Sequence, residues 1–148
     1  MSESTVLAQV KTLLDDVSGI GAVHDYERFS RSPAEWLQLM RSSGIVNGWE
    51  IHRQRTPAVR DNMPTLRRSH NYMISGIYEL DDASGSEKTF QALIEAIYVK
   101  FRDNHTIGGT CINSDPVQVM DVSVDVIAKT LYHTCELLLV CYERDTYA

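Results

Sequence analysis

The sequence predicts an α+β domain, with a mainly antiparallel sheet of about four to five strands, amphipathic helices packed on it, and the order α-β-α-β-β-α-β-β. Three observations predict it. Apolar residues recur at helical spacing before residue 18 and again between 86 and 101. The period changes to two after Ile45 and after Val117. Connections between extended segments are short, so neighbouring strands pair antiparallel and the helical stripes must bury themselves on the sheet.

Taken in order, Val6, Leu7, Val10, Leu13, Leu14 and Val17 form the stripe of a first helix of about 13 residues, which Ser4 or Thr5 can cap and Ser18-Gly19 stops. Ala22 to Tyr26 reads as a short strand. Ser32-Pro33-Ala34-Glu35 opens a second helix, with a capping serine, proline in the first turn and a glutamate able to close a capping box. Trp36, Leu37, Leu39 and Met40 give its apolar side and Ser43-Gly44 its end. Val46 to Arg53 alternates as a half-buried strand. Residues 57–68 hold Pro57, Pro64 and four charges, and read as a loop. His70 to Leu80 resumes extended character, and Asp81 to Gly85 is a polar break. Ser86 then caps a strong helix with Phe90, Leu93, Ile94, Ile97 and Phe101 on its buried stripe. Asn104 to Asp115 reads as loop. Val117 to Ile127 and Leu131 to Tyr142 read as a hairpin around Ala128-Lys129-Thr130.

The chain has 148 residues, 43% hydrophobic and 23% charged, and is read over residues 1–148 as a single domain without repeats or linkers. This composition argues against intrinsic disorder. A net charge of −6 argues against a generic nucleic-acid binder held by phosphate contacts. No stretch approaches the roughly 18–20 apolar residues that cross a bilayer. The N-terminal MSESTVLAQVKTLLDD has no basic head and no uninterrupted apolar core, so no export signal is expected.

Residues that carry chemistry do not converge. Cys135 and Cys141, six apart in one strand, are about 20 Å apart and too far for a disulfide. In phase with Leu137 and Leu139, they read as small buried residues and point to a reducing cytoplasm. His24, His52, His70, His105 and His133 form no H-x-x-x-H or H-E-x-x-H pattern. His133-Thr134-Cys135 places two soft ligands on one strand face, where a closed zinc site needs about four. His24-Asp25 has no nucleophile on a G-x-S-x-G turn, and Gly19-x-Gly21 precedes a strand, the wrong order for dinucleotide binding. Asp121 and Asp125 share a face of an extended run and read as a solvated edge rather than a magnesium site. The expectation is a protein that is not an enzyme and has no cofactor, metal or catalytic residue.

Charge is unevenly placed. Between Arg28 and Arg68, eight arginines stand against Glu35, Glu50 and Asp61, a net of +5, while the rest of the chain carries −11. Arginine favours bidentate contacts to carboxylates and phosphates. Such a run is either a solvated face or a docking surface. In the second reading, copies associate head to tail, with Arg53, Arg55, Arg60, Arg67 and Arg68 of one meeting acids such as Asp81 and Asp82 of the next. Heterologous contacts of that kind build rings or filaments. The loops at 57–68 and 104–116 are further interface candidates, ordering when a neighbour arrives.

Four stretches together resemble one family. They are Gly21-Ala22-Val23-His24-Asp25-Tyr26-Glu27-Arg28-Phe29, then Val46-Asn47-Gly48-Trp49-Glu50-Ile51, the run from Arg68 to Phe101 that contains SHNYMISGIYELDDASGSEKTFQALIEAIYVKF, and Leu131 to Leu137. The family is the tail terminator (tail completion) proteins of Mu-like tailed bacteriophages. The resemblance covers most of the chain and is weakest at residues 57–67 and 104–116. It implies structural work without chemistry: a homo-oligomeric ring of about six copies on the head-proximal end of the tail tube, stopping tube polymerisation and presenting the head-tail joining surface. Implied partners are the chain itself, the tail tube protein and a head-completion or connector protein, in the virion after assembly in the host cytoplasm. No membrane is implied, and genome DNA passes through the ring without specific binding, as a negative lumen would favour. Two alternatives stand beside this reading. One is a head-tail connector, neck or minor tail protein; the other, of a different class, is a small enzyme or ligand-binding module using His24, Asp25 and Tyr26.

Overall fold

The computed structural model describes residues 2–146. The chain opens with α1 (Glu3–Asp15), capped by Ser2, whose Oγ accepts from the Thr5 N–H at 3.4 Å. β1 (Ala22–His24) follows, then α2 (Pro33–Leu39), where Ser32 Oγ accepts the Glu35 N–H at 3.2 Å as the sequence predicts. α2 ends at Leu39, short of Ser43-Gly44, because those two residues turn β2 (Arg41–Ser42) into β3 (Ile45–Arg55). β4 (Ala58–Asn62) and β5 (Thr65–Glu79) come next, and a short 3-10 turn at Asp82–Ser84 leads to α3 (Ser86–Arg102). β6 (Asn113–Ser114), β7 (Gln118–Ile127) and β8 (Thr130–Thr146) complete the chain.

These strands form one sheet in the order β1-β3-β5-β8-β6, with β2 beside β3, β4 beside β5 and β7 beside β8. The expected antiparallel sheet of four to five strands and its order α-β-α-β-β-α-β-β are therefore corrected. The sheet has eight strands, is mixed, and the order is α-β-α-β-β-β-β-α-β-β-β. Only the coarse α+β class stands. β1 lies parallel to β3, with Ala22 opposite Gly48 and His24 opposite Glu50. The reason is α2, which lies between the two strands in sequence and provides the crossover that a parallel pair requires. Residues 57–68 are a hairpin rather than a loop. β4 is exposed along its whole length, so it has no buried face to impose alternation, and its prolines and charges mask it. The hairpin turns at Met63-Pro64, a cis peptide.

One face of the sheet is covered. Trp49, Ile51, Tyr72, Ile74, Cys135, Leu137, Leu139 and Cys141 alternate along β3, β5 and β8 and pack on Val6, Val10 and Leu14 of α1 and Phe90, Leu93, Ile94 and Ile97 of α3. All three thiols are buried and free, and burial raises that of Cys135 to about 12. Ser86 does not cap α3; Gly85 does, and Ser86 is buried, its Oγ 2.8 Å from His133 Nε2 and accepting the Asp81 N–H at 2.9 Å. His133 thereby stacks on Phe90, which in turn stacks on Trp49 at 5.8 Å. The indole of Trp49 lies flat against β5 because position 76 is glycine: a Cβ there would stand 2.3 Å from Trp49 Cζ3.

The opposite face is largely open. α2 covers one corner of it, where Leu37 and Met40 pack on Val46, Ile77 and Tyr132. Beyond that corner, His52, Ser75, Asn71, Glu136 and Val140 share this face by register, while Glu50 is buried beneath Trp36 of α2.

Candidate functional site

β4, the start of β5 and the end of β8 make a three-stranded arm beyond the core. In register, Ala58 and Glu143 flank Arg68, Val59 and Arg144 flank Arg67, and Arg60 and Asp145 flank Leu66. The arm is fastened at its base by a buried pair. His70 Nε2 lies 2.8 Å from Glu143 Oε2, with side chains 0% and 3% exposed, and His70 Nδ1 lies 3.2 Å from Thr56 Oγ1. Both ring nitrogens of His70 are thus engaged, as a buried imidazole requires.

The structure brings Arg60, Arg67 and Arg68 together on this arm and adds Arg144, which sequence reading missed because it arrives from the last strand. Arg55 stands at the base of the arm opposite Asn71. Arg53 is turned to the covered face, 3.8 Å from Glu3, whose carboxylate also accepts the Tyr72 hydroxyl at 2.8 Å. Arg60 Nη1 lies 2.9 Å from Met63 Sδ. Asp81 and Asp82 are exposed at the other end of β5, about 40 Å from Arg68 along the strand at 3.3 Å per residue. The interface residues expected from sequence thus fall into two groups at opposite ends of the sheet.

Two cross-strand pairs on the open face carry like charges. Arg67 is directly opposite Arg144, and Asp121 directly opposite Glu136; all four are exposed. Like charges in that position destabilise a sheet. Among the described residues none of the four is in an ion pair. Arg67 is steadied by Tyr142, with its guanidinium 6.0 Å from the ring centroid. The Tyr142 hydroxyl donates to Asp115 at 2.7 Å, which holds the phenol above its usual pKa. Glu136 and Arg144 are eight positions apart on β8, roughly 26 Å, several times the ~8 Å over which salt screens charge. Neither pair neutralises the other within one molecule.

The acidic pair belongs to a cleft of about 170 Å³ between α2 and β7, lined by Trp36, Glu50, Asp121, Asp125, Thr134 and Glu136 among others. Glu50 is buried there and accepts the Arg28 N–H and the Trp36 Nε1–H, each at 3.0 Å. Burial outweighs these donors and holds its carboxyl above the ordinary glutamate range. Asp125 accepts from the Thr134 hydroxyl at 2.5 Å and Asp121 from that of Ser123 at 2.7 Å. Comparison with known protein families and with curated proteins finds no match to this chain.

Residues weighed in sequence for other chemistry have packing partners. His24 Nε2 bonds the Leu39 carbonyl at 2.9 Å and its Nδ1 lies 3.3 Å from Arg28 Nη1, which joins β1 to α2 and the loop after β1. Gly21 is required by close approach: a Cβ there would stand 1.9 Å from the Asn47 carbonyl oxygen. His133 and Cys135 point into the covered face. Among the described residues, no group of three or more His, Cys, Asp or Glu has the arrangement of a metal site, and no helix is long and apolar enough to cross a membrane.

Proposed function

We propose that this chain is a structural subunit of a phage tail: a tail terminator that assembles head to tail into a ring of about six copies on the head-proximal end of the tube, stops tube growth and offers the surface on which the head is joined. The observation that carries self-association is the pair of like-charged couples on one sheet face, arginines at one end and carboxylates at the other. Each couple carries an electrostatic cost in the isolated subunit that a neighbouring copy removes. A subunit whose two complementary patches are different surfaces meets its neighbours heterologously, and a closed ring is the soluble outcome. The assignment to the terminator position rests on the resemblance of residues 21–29, 46–51, 68–101 and 131–137 to that family. In this reading the partners are further copies, the tail tube protein and a head-completion or connector protein, and the location is the virion.

The test is Arg67→Glu with Arg144→Glu. The double variant keeps a like-charge couple on the arm, so its melting temperature is expected to stay within about 2 °C of the unaltered chain. Self-association, followed by sedimentation velocity, is expected to weaken by about tenfold or more, and binding to tube ends to fall with it. Unchanged assembly of this variant would count against the reading.

A further inference from the structure

We propose that β7 is the edge on which the basic arm of a second copy docks, so that Arg67 and Arg144 of one subunit meet Asp121 and Asp125 of the next. The inference rests on the ring reading above and names the two surfaces that close it. Among the described residues β7 pairs only with β8, which leaves its other side as an open edge of 10 residues. Neither lysine nor proline interrupts it; its edge devices are the register shift between Val119 and Asp121 and the two exposed aspartates, which oppose a like edge but not a basic one. Its side chains divide by face. Val119, Val122, Val124 and Val126 lie with Leu131 on the side of the sheet that carries α3, yet beyond its cover, and are 37% to 67% exposed. Asp121 and Asp125 lie on the other side. An apolar row of this length beside a charged row is the composition of an interface rather than of a solvated strand.

The charges choose the occupant. If β7 paired with β7 of another copy about a two-fold axis at Ser123, Asp121 would stand opposite Asp125 twice. Shifting the axis by one residue leaves identical aspartates on a cross-strand diagonal, about 7–8 Å apart. Self-pairing is therefore opposed by repulsion in each register that centres the strand. The arm has the complementary character: among the described residues Arg67 and Arg144 are in no ion pair, and they share a face of the arm with Val59, which is 53% exposed. Asp81 and Asp82, the acids expected from sequence to meet the arginines, flank a polar turn with no apolar row beside it, which makes β7 the better match for the arm.

The experiment is complementation by mixing. Asp121→Arg with Asp125→Arg makes a subunit whose arm and edge are both basic; Arg67→Glu with Arg144→Glu makes one whose arm and edge are both acidic. Each alone is expected to assemble at least about tenfold more weakly than the unaltered chain, and an equimolar mixture is expected to restore assembly, with the two variants alternating. Val124→Lys, a change at an exposed position, is expected to weaken assembly without lowering the melting temperature. If the Asp121/Asp125 variant assembled like the unaltered chain while the arginine variant did not, the docking edge would be wrong and the ring reading would survive. Disruption by Val124→Lys with no effect of the arginine variant would mean that β7 pairs with itself, also overturning the inference. An unaltered chain that stayed monomeric at all concentrations and on tube ends would remove both.

Discussion

Glu143→Ala is expected to lower stability by about 1–3 kcal/mol, the cost of leaving a buried hydrogen-bonding group without its partner. Glu143 and His70 are almost fully buried, so removal of the carboxylate leaves an imidazole nitrogen without a partner in a place water does not reach. For a chain of this size the melting temperature would fall by roughly 5 °C. The same change is expected to loosen the arm, since this pair joins β5 to β8 where the arm begins. Amide hydrogen exchange separates the two effects: residues 58–68 and 143–146 should lose protection first, before the core strands. Replacing both members by leucine is expected to recover much of the loss, because an apolar pair has no desolvation cost to offset. A Glu143→Ala protein as stable as the unaltered chain would show that the pair is not what fastens the arm.

Gly76→Ala is expected to cost about 3 kcal/mol. Alanine in a central strand would ordinarily help slightly by restricting the unfolded chain, worth about 0.4–1 kcal/mol. Here the added methyl would overlap Trp49, which is fully buried between β5 and Phe90 and whose Nε1–H donates to Asn47 Oδ1 at 3.0 Å. Overpacking of a rigid indole therefore outweighs the entropic gain. The clash predicts coupling: in Trp49→Phe the added methyl has room, so Gly76→Ala should cost at least about 1 kcal/mol less in that background. Denaturant unfolding of the two single variants and the double variant measures the difference, and simple additivity would contradict the packing described.

Much of the covered side of the molecule was legible in the sequence. The stripes Val6-Val10-Leu14 and Phe90-Leu93-Ile94-Ile97 each bury one helix face against one sheet face, so periodicity alone exposes them. The β7–β8 hairpin was legible for a related reason, since Cys135, Leu137 and Leu139 alternate against solvent. What stayed hidden lacks a buried face. β2 and β6 are two residues each, and β4 is exposed throughout, so hydrophobic pattern has nothing to record there. The candidate site was legible in part. The arginine excess between residues 28 and 68 marks the arm, but Arg144 reaches it only through the β5–β8 register, which no local pattern encodes. The acidic couple depends on a single irregularity. Between Val119 and Asp121 the register of β7 against β8 shifts, and this shift sets Asp121 opposite Glu136 instead of Cys135. Alternation counted along the sequence cannot foresee which face an acid takes past a bulge.

We propose that this chain ends a tail tube by assembling on it. The most direct measurement is electron microscopy of particles produced without the protein. The account predicts tubes of uncontrolled length and tails without heads, with normal length and joining restored when the chain is supplied. Tails of normal length joined to filled heads in its absence would contradict it.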